Sequence, residues 1–84
     1  VMIIVWDEPK RLANIVHHGL DFAALDLEFF EGAVIRPSHS SRLLAFGRNC
    51  GEVITVVFKP LGRDAVSIIS MRPASRKERA LIDG

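Results

Sequence analysis

Only one of the 84 residues is cysteine, Cys50, and none is tyrosine. A lone cysteine forbids an internal disulfide, in keeping with a reducing compartment, and removes every paired-cysteine zinc pattern. The three histidines, His17, His18 and His39, lack metal-ligand spacing, so neither metal nor cofactor is expected. Apolar runs stop at about six residues, against the ~20 needed to span a bilayer. The opening Val1-Met2-Ile3-Ile4-Val5-Trp6 has no basic start and no long apolar core, so a secretory leader is not expected. A cytoplasmic location without membrane contact follows as the expectation. Repeats and low-complexity tracts are missing, which argues against solenoids and disorder. Gly47-Arg48-Asn49-Cys50-Gly51 lacks the Lys-Ser/Thr ending of a phosphate-binding loop. Ser38, Ser40 and Ser41 beside His39 read as a loop cluster, in a domain too small to suggest a hydrolase triad.

What is present fits one soluble globular domain over residues 1–84, with 49% hydrophobic and 25% charged residues. The net charge of +1 hides an asymmetry. Residues 1–34 carry two basic and six acidic side chains, net −4; residues 35–84 carry nine basic and four acidic, net +5. Seven of those nine are arginine: Arg36, Arg42, Arg48, Arg63, Arg72, Arg76 and Arg79. The planar guanidinium fork suits phosphate, so the second half is a candidate polyanion surface.

Val1–Trp6 is β-branched and apolar and predicts a strand. Asp7-Glu8-Pro9 opens a helix that Gly19 ends. Asp21 caps a second helix running through Phe30 and stopped by Gly32. Ala33–Arg36, Arg42–Gly47, Glu52–Phe58 and Ala65–Ser70 read as strands, with turns at Asn49-Cys50-Gly51 and Lys59-Pro60-Leu61-Gly62. Ser75-Arg76-Lys77-Glu78 is a capping box that starts a last helix. The predicted class is α+β: a small antiparallel sheet of four to five strands, two N-terminal helices and one C-terminal helix.

Several blocks resemble the BrnT toxins. Trp6-Asp7-Glu8-x-Lys10 is followed by Asn14 and by His17-His18-Gly19-Leu20-x-Phe22. Arg42-x-x-x-x-Gly47 comes next. Val56-Val57-Phe58 precedes Ile68-Ile69-Ser70-Met71-Arg72-Pro73-Ala74-Ser75-Arg76-Lys77-Glu78-Arg79. The blocks span nearly the whole chain in the family's order. His17 stands where the family often has lysine, Phe58 where it often has tyrosine, and no aromatic follows the Glu-Arg pair of the last helix. The resemblance implies a RelE-like fold and a ribonuclease toxin of a type II toxin–antitoxin system. It also implies a BrnA-like ribbon-helix-helix antitoxin as partner, in a heterotetramer or other complex.

Metal-free RNA cleavage uses the 2′-hydroxyl as nucleophile, so the protein must hold the phosphate, move a proton and stabilise added negative charge. His18, at a helix C-terminus, is the candidate proton-transfer group, since imidazole both gives and takes protons near neutral pH. Arg72, between a strand end and a helix N-terminus, and Arg42, at a strand start, are the candidate catalytic cations. Lys10, Arg48, Arg76 and Arg79 are candidate RNA contacts. Each has an ordinary structural alternative: an ion pair of Arg72 with Glu78, one of Lys10 with Asp7 or Glu8, solvation for Arg48 and Arg76. Two other functions stay open on the same fold. One is a catalytically weak or inactive antitoxin-binding module; the other is a nucleic-acid-binding domain that does not cut.

Overall fold

The computed structural model describes residues 2–83, and the chain runs β1 (Ile3–Trp6), α1 (Glu8–His18), a single 3₁₀ turn (Phe22–Ala24), α2 (Leu27–Glu31), β2 (Val34–Pro37), β3 (Leu43–Asn49), β4 (Glu52–Leu61), β5 (Ala65–Pro73) and α3 (Arg76–Asp83). The five strands form one sheet in the order β1-β5-β4-β3-β2. The sheet is mixed, which corrects the antiparallel expectation: β1 pairs parallel to β5, with Trp6 opposite Ile68. Hairpins force antiparallel pairing only on consecutive strands. β2 to β5 form such a meander, whereas β1 joins the far side of β5 after the whole chain has intervened.

Two tight turns shape the meander. The β2–β3 tip places Ser40 and Ser41 at positive φ, and the β3–β4 tip does the same with Cys50 and Gly51. Consecutive left-handed residues are what a two-residue hairpin loop needs to match strand twist. β4 does not stop at Phe58 but continues through Pro60 to Leu61, opposite Ala65, so the expected turn at Lys59-Pro60-Leu61-Gly62 moves to Gly62-Arg63-Asp64. Past Phe58, β4 has lost β3 as a neighbour, and proline is tolerated on such an edge. Between Val57 and Phe58 the register with β5 shifts, and Ile69 becomes the extra residue of a bulge.

Alternation along the strands sorts the sheet into two faces. Ala45, Ile54, Val56, Phe58, Val66, Ile68 and Met71 face the core with Phe22, Leu25 and Phe29. Gly47 belongs to this face, and a Cβ there would stand 3.0 Å from the Phe29 ring, which is why glycine holds that position. The single second helix expected from Asp21 is instead two short pieces. Asp21 caps the 3₁₀ turn through the Ala23 N–H; Leu25 is extended; Asp26 then caps α2 through the Phe29 N–H. Two aspartates five residues apart each claim a local N–H, and the break between them lets Phe22, Leu25 and Phe29 all reach the core. No helix is long and apolar enough to cross a membrane.

Candidate functional site

The second face of the sheet is only partly covered. α3 packs on β3 and β4 there, over Phe46, Val53 and Thr55, all buried. The helix has no buried residue of its own. It is fastened by an apolar contact side and by ion pairs from Glu78 to Arg72 and from Asp83 to Arg48. Beyond α3 the face is open. Its rows read Ser70-Val57-Leu44-Arg36 and then Val5-Ser67-Lys59, and Arg42, just before Leu43, stands at the end of the second of these. Glu52 is the sole acid within the five strands, and it alternates with Ile54 and Val56 to the core face. The strands therefore present a cationic surface interspersed with small hydroxyls and aliphatics.

Arg72 sits at the boundary between the covered and open halves. Its Nη1 donates to Glu78 Oε1 at 2.7 Å and its Nη2 to Glu78 Oε2 at 2.9 Å. Glu78 Oε1 also accepts from Thr55 Oγ1 and from the Ser75 N–H, each at 2.9 Å. Ser75 Oγ in turn accepts from the Glu78 N–H at 3.2 Å, which completes the capping box expected from the sequence. The hydrogen bond from Arg72, followed by those of Ser75 and Thr55, holds the Glu78 carboxyl down to about 2 against the cost of its burial. Glu78 also raises the affinity of Arg72 for its proton, chiefly through the same hydrogen bond.

A carboxyl held lower in the folded chain than in the unfolded one contributes stability above its unfolded range, near 4.5, and loses it as pH falls towards 2. Because Arg72 is partly exposed and solvent screens the pair, this amounts to about 1–2 kcal/mol rather than the full linkage value. Thermal melts at pH 6 and pH 3 should therefore differ more for the native chain than for Glu78→Gln by about that amount. An unchanged pH difference in the variant would show that Glu78 carries no such contribution.

The other expected residues scatter. Arg42 lies four rows along β3 and two strands across from Arg72, about 16 Å between Cα atoms at standard sheet spacings. Arg42 and Arg72 share a face but do not meet. His18 is exposed on the last turn of α1. One turn earlier, the buried Asn14 accepts from the Met71 N–H at 3.1 Å and from Ser70 Oγ at 3.4 Å, and donates to the Leu20 carbonyl at 2.9 Å. α1 thus lies against the edge of β5 that β1 leaves free, with His18 one turn beyond Asn14 on the helix. Arg72 leans the other way, over Thr55, and no hydrogen bond joins it to His18 among the described residues. Lys10 is exposed near the start of α1 and makes no ion pair among the described residues: Glu8 is taken by Arg11 and by the Trp6 indole N–H, and Asp7 accepts the Lys10 backbone N–H as the cap of the helix. Arg48, Arg76 and Arg79 gather around Asp83 at the end of α3.

Lys59 was missed in the sequence, and Arg36 was counted only among the seven arginines of the basic half, with no site role. Lys59 was assigned to a turn, and only the continuation of β4 through Pro60 puts it on the open face. Phe58 is buried on the opposite face, edge-to-face with Phe30 at 5.3 Å. A tyrosine hydroxyl at that position would not lie among the cations.

Residues 6–78 match the family described as ribonuclease toxin, BrnT, of type II toxin-antitoxin system. The crystal structure of the Brucella abortus ribonuclease toxin, BrnT, at 1.1 Å resolution, is similar at 53% sequence identity and a TM-score of 0.84, over 90% of this chain and 100% of that one. No curated protein sequence matches significantly. A match across most of the chain, and this degree of likeness to the Brucella toxin, show that the protein belongs to the BrnT family of type II toxin–antitoxin ribonuclease toxins.

Proposed function

We propose that this chain cuts single-stranded RNA without a metal on the open half of its sheet, by chemistry of the RelE-like kind. One observation carries the reading: Arg36, Arg42, Lys59 and Arg72 share a sheet face on which no strand places an acid. Such a surface tracks a polyanion. Arg72 grips the scissile phosphate, and its charge offsets the negative charge that builds up at phosphorus. Arg42, Lys59 and Arg36 hold neighbouring phosphates, because Arg42 is too far from Arg72 to share one. Lys10, Arg48, Arg76 and Arg79 extend the contact at the two ends.

In the reaction the 2′-oxygen bonds to phosphorus, the bond from phosphorus to the 5′-oxygen breaks, and the products are a 2′,3′-cyclic phosphate and a 5′-hydroxyl. One proton leaves the 2′-hydroxyl and one reaches the departing 5′-oxygen. We assign this transfer to His18, the exposed imidazole at the end of α1, one turn beyond the Asn14 that docks the helix on the free edge of β5. The partner in this reading is a BrnA-like ribbon-helix-helix antitoxin, in a heterotetramer or other complex.

Purified chain freed of antitoxin should cleave an RNA oligonucleotide in excess EDTA and leave the 2′-O-methyl version intact. Loss of cleavage in EDTA, or cutting of the methylated strand, would overturn the mechanism. Binding of the 2′-O-methyl strand should weaken with salt. Arg42→Gln and Lys59→Gln should each flatten the slope of log K against log salt by about 0.7, the share of one phosphate contact on a single strand. Unaltered slopes would place the RNA elsewhere.

A further inference from the structure

A guanidinium already in a two-pronged ion pair would ordinarily be counted as structural. At Arg72 the pattern of donors points to something else. The group has five N–H donors in a fixed plane. Glu78 takes one from Nη1 and one from Nη2, and the remaining Nη1 donor faces the Pro73 carbonyl at 3.5 Å. The Nε–H and the second Nη2–H have no partner among the described residues. These two lie side by side on one edge of the plane, the edge that pairs with two oxygens of a phosphate. Glu78 thus fills one fork of Arg72 and leaves the other complete and unused, on a side chain 37% exposed at the margin of the open face.

Glu78 is also built to stay where it is. Its side chain is 17% exposed. Oε1 is pinned by Thr55, which is fully buried in the sheet, and by the Ser75 N–H at the start of α3. If Arg72 swung away, Oε1 would keep both of those bonds. An incoming phosphate therefore has no reason to displace the carboxylate, and it meets a guanidinium whose orientation is already fixed. Holding a long, rotamer-rich side chain in its working geometry before the substrate arrives is a recognised source of rate.

We propose that Glu78 is a positioning residue for RNA cleavage: through Thr55 and Ser75 it holds Arg72 so that the Nε/Nη2 fork presents to the scissile phosphate. The inference rests on the reading of Arg72 as the phosphate grip given above. It predicts that Glu78 acts only through Arg72. Replacing Glu78 by glutamine keeps the size and the capping interactions but puts an amide N–H against Nη2, so the guanidinium keeps only its bond from Nη1 and loses the second prong and the charge that fixed its plane.

The test is a cycle of Arg72→Ala, Glu78→Gln and the double variant, assayed on an RNA oligonucleotide under single-turnover conditions at a temperature where melts show each fully folded. Glu78→Gln should lower the cleavage rate at saturating protein about 10- to 100-fold, with a smaller change in affinity for the 2′-O-methyl strand. Arg72→Ala should be slower still, and the double variant no slower than Arg72→Ala. Full rate in folded Glu78→Gln, with Arg72→Ala impaired, would overturn the positioning role and leave the grip standing. A double variant slower than Arg72→Ala by the full factor of Glu78→Gln would likewise overturn it, since Glu78 would then act independently. Full rate in Arg72→Ala would overturn the grip itself, and the positioning role with it. Should Glu78→Gln fail to fold, Thr55→Val removes one pin while leaving the ion pair, and should lower the rate by a smaller factor in the same direction; no loss there would count against the proposal.

Discussion

Phe22→Ala should destabilise the fold by about 3–5 kcal/mol, the range for emptying a fully buried aromatic site. Phe22 has no exposed surface. It sits in the 3₁₀ turn that Asp21 caps, and its ring meets Trp6 edge-to-face at 6.5 Å. It joins the end of β1 to the core under β5 and β4, so the neighbours cannot collapse into the space without moving a strand. A domain of 84 residues has about 4–13 kcal/mol of stability at ordinary values per residue. The loss is therefore about a quarter of the total or more. In a thermal melt it corresponds to a fall of at least about 12 °C in Tm. Phe22→Leu, which refills most of the volume, should recover the larger part of it. A fall below about 5 °C for the alanine variant would mean that the 3₁₀ segment does not seal the core.

The elements that were legible in the sequence are those whose signals are local. Asp7 with Pro9 and Gly19 bracket α1 as read, and Ser75-x-x-Glu78 forms both halves of its capping box. The strands were placed to within a few residues because β-branched runs and turn residues mark them directly. What failed depends on neighbours in space. The direction of β1 is set by β5, which lies about 60 residues on, and no property of Ile3–Trp6 encodes it. Pro60 reads as a turn residue until it is known that β3 has already left β4 at that point. The same error hid Lys59, whose place on the open face follows from the longer strand.

The candidate site shows this division sharply. Arg72 and Glu78 were legible as a pair because a strand end and a capped helix leave little room between them. That both also engage Thr55 was not, since Thr55 lies in the middle of β4 and looks like any β-branched strand residue. Arg42, Arg72 and His18 read as one cluster only while the sheet was a list of strands. With the register known, Arg42 and Arg72 stand about 16 Å apart on one face of the sheet, which is why the proposed RNA path assigns them separate phosphates.

Asn14→Ala should cost about 2–4 kcal/mol although it removes no apolar area. Asn14 is buried, and it is the side chain that closes the backbone where β1 ends. β5 continues to Pro73 with no strand on the edge that β1 has left, so the Met71 N–H points at α1, and the Asn14 Oδ1 accepts it at 3.1 Å. Nδ2 satisfies the Leu20 carbonyl after the helix has ended. Alanine would strand a buried donor and a buried acceptor, each worth about 1–3 kcal/mol when left unpaired. Aspartate restores the acceptor but sets a charge against the Leu20 carbonyl, and should recover less than half of the loss. The consequence for activity follows from geometry: Asn14 fixes how far α1 slides along β5, and His18 rides one turn further on. Amide hydrogen exchange at Met71 should accelerate in Asn14→Ala ahead of the rest of β5. Protection at Met71 equal to that of the native chain, measured at matched global stability, would show that another group takes the hydrogen and that α1 is held by something else.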